Sequence, residues 1–409
     1  MNDPGSSLVT WLNQYRDNFR RAAAVVLLIT VLSLSIFGII MLYSTTASSS
    51  GEVMLIKQAK WILVSIICGF IVSCIDYRWI CKQRLKLLLV AIIPLLYLGI
   101  IHLVSMQNPA VVEGLPLVRS VNGAYRWLFL GSYTIQPSEF AKVAIIIFLA
   151  GYYGRHPRWA PQLKRGLIYP LAIVGCVVLA ILMGGSLSIT MITGSVILAM
   201  LFVAGVKFRY FFILGALSVC MVAMVLTMST NRMERVTQSW LHPEEYRKTS
   251  GYQLYNSHLA LGSGAKYGLG FNQSRMKQAY LPESHTDFIM SIVGEETGYT
   301  GMMTVIMVYL LLVGSAFMIA VLAPDRQGSL LAMGIGFSIG MHAFLNISVV
   351  SGFVPTTGVT APLISYGGSS MMVTWICIGL LCSIVRRSRE IEQKEYASLT
   401  NDPEILLSA

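Results

Sequence analysis

Long apolar runs alternate with short polar segments along most of the chain. The runs reach the roughly 20 residues that a helix needs to cross the hydrocarbon core of a bilayer. The pattern therefore predicts helices rather than strands, and it predicts ten of them. We expect membrane-spanning helices over residues 22–44, 57–76, 85–105, 138–154, 167–184, 187–206, 210–228, 287–322, 329–352 and 367–386.

The expected fold class is an all-α polytopic membrane protein with about ten transmembrane helices. Residues 1–21 and 387–409 are predicted to be cytoplasmic tails, and 22–386 a single membrane domain. Two polar intervals are long, 106–137 and 229–286, and long loops on one face are where binding and chemistry usually gather. The helix predicted over 287–322 is too long for one straight span and contains Gly294, Gly298 and Gly301. We expect it to begin as a tilted or broken piece at the outer surface.

The charges decide the orientation. The chain is 55% apolar and 12% charged, with a mean hydropathy of +0.66 and a net charge of +11. Of 30 Lys and Arg residues, 18 lie on one side of the predicted helices. On the other face four lie outside the long loop 229–286, which contains seven. By the positive-inside rule, both termini are cytoplasmic. The net positive charge thus reflects the membrane topology and attraction to anionic lipid. The membrane is therefore an expected partner, and nucleic acid is not.

The densest charge lies in YLPESHTDFIMSIVGEE at 280–296, which contains Glu283, His285, Asp287, Glu295 and Glu296. One interpretation is a capped helix start, since an Asp or Ser at an N-cap and a Glu in the first turn stabilise a helix. Capping accounts for one of these residues but not for five. The other interpretation is a functional site near the membrane surface, where ionisable groups are commonly functional.

Three further segments contain candidate groups. Arg126 and Trp127 place a guanidinium beside an indole at the expected level of lipid head groups. Glu139 and Lys142 lie three residues apart in an apolar helix, and they form either a structural ion pair between helices or a contact to phosphate or sugar. The stretch at 262–270 has four glycines and is either a hinge or a phosphate cradle.

Other loops complete the expected site. Arg275 and Lys277 precede Asp287 by at most twelve residues, so a cation for a diphosphate and a carboxylate for a proton can be neighbours. The middle of this loop, 252–261, has helical apolar spacing and is expected to form an amphipathic turn. The segment GFVPTTGVTAPLISYGGSS at 352–370 is expected to be re-entrant and to face the same cavity, because non-helical backbone at membrane depth is tolerated only inside protein or beside water.

Several of these motifs resemble the SEDS family of bacterial shape, elongation, division and sporulation proteins. The similarity covers nearly the whole chain and is closer to the division members than to the elongation members. The matching stretches are NGAYRW at 122–127, QPSEFAK at 136–142, YQL at 252–254, LPESHTDFIMSIVGEETG at 281–298 and PTTGVTAPLISYGGSS at 355–370.

The resemblance implies a peptidoglycan glycosyltransferase that polymerises lipid II at the outer face of the cytoplasmic membrane. It implies a class B penicillin-binding protein as a crosslinking partner, together with other proteins of the division machinery. The family's essential outer-loop aspartate falls on Asp287, the expected general base. A divalent cation, Mg²⁺ or Mn²⁺, is a possible cofactor. The candidate substrate-binding residues are Arg126, Trp127, Glu139, Lys142, Arg275, Lys277, Glu283, His285, Ser365 and Gly367.

One segment departs from the family pattern. Members usually have a PDLGT-like run after the fifth helix, whereas this chain has GGSLSIT at 184–190, with Ser186 at the position of the Asp. A role for that second carboxylate is therefore not expected here. Two other functions are compatible with the sequence: a transporter that flips lipid II, which the intramembrane Glu139 and Lys142 favour, and a scaffold for division proteins.

Overall fold

The computed structural model of the protein describes residues 4–46, 51–108, 111–112, 115–121, 123–131, 133–227, 233–278 and 280–400. Part of both long outer loops, including Asn122 of the first motif, and the end of the predicted C-terminal tail, 401–409, lie outside these residues.

The described chain consists of helices joined by loops and one short hairpin. The longer helices coincide with the apolar runs, as expected for segments that must satisfy their backbone hydrogen bonds within lipid. The elements are α1 (Pro4–Thr46), α2 (Gly51–Cys74), α3 (Tyr77–Lys82), α4 (Arg84–Gln107), β1 (Leu128–Leu130), β2 (Tyr133–Ile135), α5 (Pro137–Arg155), α6 (Tyr169–Met183), α7 (Leu187–Val203), α8 (Arg209–Thr227), α9 (Tyr252–Ser263), α10 (Ile289–Val321), α11 (Arg326–Val350) and α12 (Gly368–Thr400).

Each of the ten predicted helices corresponds to an α-helix of the structure. The first and last extend into the predicted tails, where polar residues continue the helix: Arg21 Nε lies 3.4 Å from Asp17 Oδ2, and Arg387 pairs with Glu390 at 2.6 Å. Pairs at this spacing support an exposed helix. The amphipathic turn expected at 252–261 is α9. The antiparallel hairpin of β1 and β2, with Leu128 opposite Ile135, was not predicted.

The fold is that of a polytopic membrane protein. Seven helices of the described chain are long and apolar enough to cross a bilayer, and α7 and α8 are shorter apolar helices. Large apolar side chains point outward, with Phe70 69%, Val90 69% and Phe212 70% exposed. Such a surface is unfavourable in water, so it indicates contact with lipid. Whether all ten predicted helices span the bilayer remains a prediction.

Helix α5 forms the centre of the bundle. Sixteen of its nineteen residues are buried, and it packs against α4, α7 and α11. Its run of Ala, Val and Ile permits this burial because small and branched side chains allow close helix packing. The ends of α5 lie next to the outer loops on one side and the cytoplasmic loops on the other.

Helix α10 is broken near its start, as expected from its length and glycines. Gly298 has φ +67°, and a Cβ there would lie 2.4 Å from the backbone nitrogen of Gly268. The loop before it closes the break: Leu269 N donates to Glu295 O at 2.9 Å, and Tyr299 N donates to Ala265 O at 2.9 Å. The glycine-rich stretch therefore stabilises the break in α10 through backbone hydrogen bonds.

Candidate functional site

Asp287 lies in a tight turn that immediately precedes α10. The backbone nitrogens of Thr286 and Phe288 both donate to the carbonyl of Glu283, at 3.1 and 3.2 Å. Glu283 has φ +56°, an uncommon conformation for a residue with a side chain, and its carboxylate accepts from Thr286 Oγ1 at 2.8 Å. The turn is therefore built by its own polar residues, and it presents Asp287 ahead of the helix.

The last outer loop supports this turn from the side. Ser365 Oγ donates to Thr286 O at 2.6 Å, and Tyr366 N donates to His285 O at 2.9 Å. Residues 361–365 of this loop are buried. The structure thus brings the two segments together, as expected for a re-entrant loop that faces the same site. Among the candidates, Ser365 is a buried support of the turn.

Gly358 of the same loop lies against the Asp287 carboxylate. Its φ is +68°, and a Cβ there would lie 3.2 Å from Asp287 Oδ2. Glycine meets both requirements, since it tolerates a positive φ and leaves room for the carboxylate. Any other residue would press on the acid.

Asn346 on α11 joins the turn to this loop. Its Nδ2 donates to Asp287 O at 2.8 Å and to Val359 O at 2.6 Å, and the side chain is fully buried. Sequence reasoning missed this residue. An amide inside the apolar run of 329–352 was the available signal, because polar groups within such helices usually have a specific partner.

Burial and local charge set the acidity of Asp287. The carboxylate is half-buried, and the loss of hydration, together with the negative charge of Glu283, raises its pKa to about 6. The charges of Arg126 and Arg235 oppose this rise. A carboxyl group that titrates near neutrality can accept a proton and release it again, as a general base must.

Arg126 connects the first outer loop to the junction of α6 and α7. Its Nη2 donates to Gly185 O at 2.7 Å. The next residue, Ser186, stands at the position of the family's second aspartate and is buried. Trp127 is half-buried beside Arg126 at the start of β1.

Arg235 was not among the predicted residues. It is exposed and begins a π-helical segment, Arg235–Trp240, which is attached to the last outer loop by a bond of 2.9 Å from Trp240 Nε1 to Gly352 O. The sequence contains no signal that separates this arginine from the other cations of the loop.

Two further candidates lie beside the Asp287 turn. Burial lowers the pKa of His285, although the charge of Glu283 opposes this. Its ring centroid is 6.0 Å from that of Tyr366. Gly367 N donates to Gln58 Oε1 of α2 at 3.3 Å, which attaches the end of the loop to that helix.

Lys277 and Arg275 belong to a different cluster. Lys277 Nζ is buried and contacts Glu296 Oε1 at 3.1 Å, Ser44 Oγ at 3.0 Å and Asn272 Oδ1 at 2.5 Å. The backbone nitrogen of Arg275 donates to Glu295 at 2.9 Å, while its side chain is exposed. Lys277 is thus neutralised away from the Asp287 turn.

The five-residue charge cluster of the sequence is therefore two clusters. Glu295 and Glu296 are buried and accept hydrogen bonds from the backbone of residues 272–276, so they fix this part of the loop to α10. Glu295 follows Asp287 by eight residues, which corresponds to roughly 12 Å at the rise of an α-helix.

Glu139 and Lys142 form a buried ion pair in the bundle core. Lys142 Nζ lies 2.9 Å from Glu139 Oε2 and 2.5 Å from His342 Nε2 on α11. The contact joins α5 to α11, which favours the structural interpretation of this pair. All three side chains are buried.

Within the described ranges, no three side chains of His, Cys, Asp or Glu converge as metal ligands. Glu283 is the acidic neighbour whose charge acts on Asp287 at the turn.

Fold and site together define a polytopic α-helical membrane protein in which a half-buried carboxylate, that of Asp287, lies in a turn supported by the last outer loop. Residues 24–390 match the family model described as cell cycle protein, that of FtsW, RodA and SpoVE, and the chain belongs to this family. The resemblance seen in the motifs is thereby confirmed. The protein is a multi-pass protein of the cytoplasmic membrane.

Two relatives match along nearly their whole length. The probable peptidoglycan glycosyltransferase FtsW of Dichelobacter nodosus is 36% identical over 378 residues, which are 90% of this chain and 91% of that protein. Stage V sporulation protein E of Bacillus subtilis is 34% identical over 371 residues, 89% of this chain and 97% of the relative.

Solved structures share the fold. A chain of a peptidoglycan synthase complex that coordinates polymerization and crosslinking superposes with a TM-score of 0.70 at 23% identity, over 88% of this chain and 97% of the other. The rod shape determining protein RodA of Thermus thermophilus has a TM-score of 0.63 at 23% identity, over 88% and 96%.

Proposed function

We propose that this chain is a peptidoglycan glycosyltransferase that polymerises lipid II at the outer face of the cytoplasmic membrane, with Asp287 as the general base. The observation that carries the proposal is the environment of Asp287, a half-buried carboxylate whose pKa is raised to about 6, which lies against Gly358 of the last outer loop and on which the charges of Arg126 and Arg235 act. The relatives named as FtsW support a role in cell division.

The reaction joins an acceptor sugar to a donor sugar. The hydroxyl oxygen of the acceptor attacks the anomeric carbon of the donor, its proton passes to Asp287, and the bond from that carbon to the diphosphate breaks. A base in this position contributes about 10²–10⁴-fold. The leaving polyprenyl diphosphate takes the bonding electron pair, so no acid is needed to protonate it.

The diphosphate requires positive charge close to Asp287. Arg126 and Arg235 are suited to this, because their charges already act on the carboxylate and a guanidinium binds phosphate oxygens in a fork. Lys277 is less suitable because Glu296 neutralises it. A Mg²⁺ or Mn²⁺ ion is compatible with the site as a ligand of the diphosphate, since such ions need only one or two carboxylates besides substrate phosphates.

We also propose a partner that crosslinks the new strands, a class B penicillin-binding protein, acting with other division proteins. The fold match to a chain of a synthase complex supports this, because that complex couples the two activities.

The test is polymerisation of purified lipid II in detergent by the full chain with its partner. We expect Asp287→Asn to lose at least about 10²-fold in rate, because the amide cannot accept the proton. Glu244→Gln, an exposed acid of the same loop, should retain activity.

Normal glycan synthesis by Asp287→Asn would remove the base assignment. Detergent leaves no membrane to cross, so strands made by the wild type also separate polymerisation from lipid transport. If neither protein makes strands in the presence of the partner, the polymerase proposal fails.

A further inference from the structure

Two arginines lie side by side at the cytoplasmic end of α5. Arg84 begins α4, and its side chain crosses α5 at Gly151, where an added Cβ would lie 3.1 Å from Arg84 Cδ. Arg155 ends α5. It follows Gly151 by four residues, so it lies on the same face of the helix, one turn further on. The like charge of Arg155 accordingly acts on Arg84.

Neither arginine has a counter-charge. Arg84 is half-buried and its Nε is fully buried, yet neither it nor Arg155 forms a hydrogen bond or an ion pair with a residue that the structure describes. The groups that act most strongly on Arg84 include no carboxylate. Between Glu139 and Glu234 the sequence contains no Asp or Glu at all. Because like charges repel more strongly where water is partly excluded, a bound anion would stabilise this pair.

Neighbouring arginines on the same face are partnered. Arg78 Nε lies 2.9 Å from Asp325 Oδ2, and Arg326 Nη2 donates to Ala204 O at 2.6 Å. Both belong to helices that pack against α5, namely α3 and α11. The missing partner is therefore not a general feature of the arginines at the cytoplasmic helix ends.

The loop after α5 adds a further cation and aromatic rings to this position. His156 stacks on Trp159 with 3.8 Å between the ring centroids, and the Arg165 guanidinium lies 5.3 Å from the centroid of the same indole. The Tyr152 hydroxyl donates to Arg165 O at 2.6 Å, which fixes the loop to α5. Burial, together with the charges of the two unpartnered arginines, lowers the pKa of His156, so the ring lies close to both.

The surroundings of the pair are those of a membrane surface. Leu85, Ile168 and Tyr169 are 48%, 53% and 53% exposed, and apolar side chains that point outward from this fold face lipid. Trp and Tyr are enriched where the hydrocarbon core meets the head groups, and Trp159 and Tyr169 lie beside the arginines. An anion at this level is most readily a lipid phosphate, because the cytoplasmic leaflet is rich in anionic lipid.

We propose that Arg84 and Arg155 form a binding site for the phosphate group of an anionic phospholipid in the cytoplasmic leaflet. The two guanidinium groups donate to the phosphate oxygens, for which their forked geometry is suited. The acyl chains then lie along the outward apolar side chains next to the site. The site is on the opposite face from Asp287, and the inference does not depend on the proposed function.

The first test measures lipid affinity in the purified full chain. The concentration dependence of the melting temperature in a neutral detergent gives an apparent Kd for phosphatidylglycerol. Arg84→Gln with Arg155→Gln should weaken it by about tenfold or more, because charge-assisted hydrogen bonds are lost. Without lipid, this variant should melt no lower than the wild type, since a repulsion is removed. The charge-matched control is Lys207→Gln with Arg209→Gln, two exposed cations at the junction of α7 and α8.

Equal affinities in the wild type and the Arg84 and Arg155 variant would overturn the proposal, as would an equal loss in the control, which would indicate general surface charge. Inorganic phosphate is the probe for a soluble ligand. If it stabilises the wild type as strongly as phosphatidylglycerol does, the ligand is not a lipid. Stabilisation by a decaglutamate peptide but not by phosphatidylglycerol would indicate an acidic protein segment instead, and would also overturn the proposal.

The second test uses the unaltered chain and locates the lipid. Phosphatidylglycerol with a diazirine on its head group should label peptides that contain Arg84 or residues 155–165, and unlabelled phosphatidylglycerol should compete where phosphatidylcholine does not. Labelling that is spread evenly over the cytoplasmic loops, or that phosphatidylcholine displaces equally well, would contradict a specific phosphate site.

Discussion

Glu283 and Asp287 lie four residues apart in one turn, and their proximity has a measurable consequence. Burial and the charge of Glu283 together raise the pKa of Asp287 to about 6, while the charges of Arg126 and Arg235 act against this rise. Since Asp287 works as a base only when ionised, the acidic limb of the pH profile should report its pKa. The turn thus sets the working pH of the site through neighbours that do not touch the reacting proton.

Replacing Glu283 by Gln removes a negative charge and favours the ionised form of Asp287. We expect the acidic limb of kcat/KM to move to lower pH, by about half a pH unit for a partly exposed pair. Arg235→Gln should move it to higher pH. The measurement is the pH profile of polymerisation, with Glu244→Gln as the unshifted control.

Arg235 is exposed, so added salt should shrink the effect of Arg235→Gln. Identical acidic limbs for the wild type, Glu283→Gln and Arg235→Gln would mean that another group limits the rate.

At the scale of elements, α10 and the loop before it form one unit. The break at Gly298 exposes backbone groups that residues 265–270 satisfy, and Glu295 and Glu296 fasten residues 272–277 to the first part of the helix. The same part of α10 follows directly on Asp287. The position of the acid therefore depends on how the helix is broken.

Gly298→Ala should destabilise the protein by about 2–4 kcal/mol, because a Cβ would meet the backbone of Gly268 and the residue would be held at a positive φ. The control is Gly314→Ala on the same helix, where no heavy atom lies within 4 Å of the new Cβ. Thermal unfolding in detergent gives the comparison. Equal melting temperatures for the two variants would contradict the role assigned to the break.

At the scale of the whole molecule, the bundle is organised around a buried helix that contains charge. Helix α5 packs against α4, α7 and α11, and its Glu139 and Lys142 neutralise each other beside His342. A buried pair is costly to break because the remaining charge lacks a partner. Through the contact of Lys142 with His342, the pair connects α5 to α11.

Lys142→Met should therefore destabilise the fold by about 3–5 kcal/mol, since Glu139 would be left buried without its cation. The double variant Glu139→Gln with Lys142→Met should recover most of the stability and keep polymerase activity. Unfolding in detergent and the polymerisation assay measure the two quantities. A stable but inactive double variant would show that the pair contacts substrate.

The sequence predicted the ten helices, the broken start of α10 and the proximity of the last outer loop to Asp287, because each follows from a local pattern. The length of an apolar run, its glycine content and the energetic cost of backbone groups without hydrogen-bond partners in lipid can each be judged from one segment of the sequence. Charge density at a helix start singled out Asp287 as the candidate catalytic residue. The membrane class was likewise predicted from the apolar runs, and the family from short motifs such as QPSEFAK.

Only the tertiary structure decided which charges meet. Asn346 binds the Asp287 turn from α11, and the charge of Arg235 acts on Asp287 from another part of the second outer loop. Glu295, close in sequence, is instead displaced by the rise of the helix and binds residues 274–276. Lys277 was expected beside Asp287 and is neutralised by Glu296. Spanning length is a property of a segment and can be read from it, but the partner of a buried polar group depends on which loops the packed helices bring together.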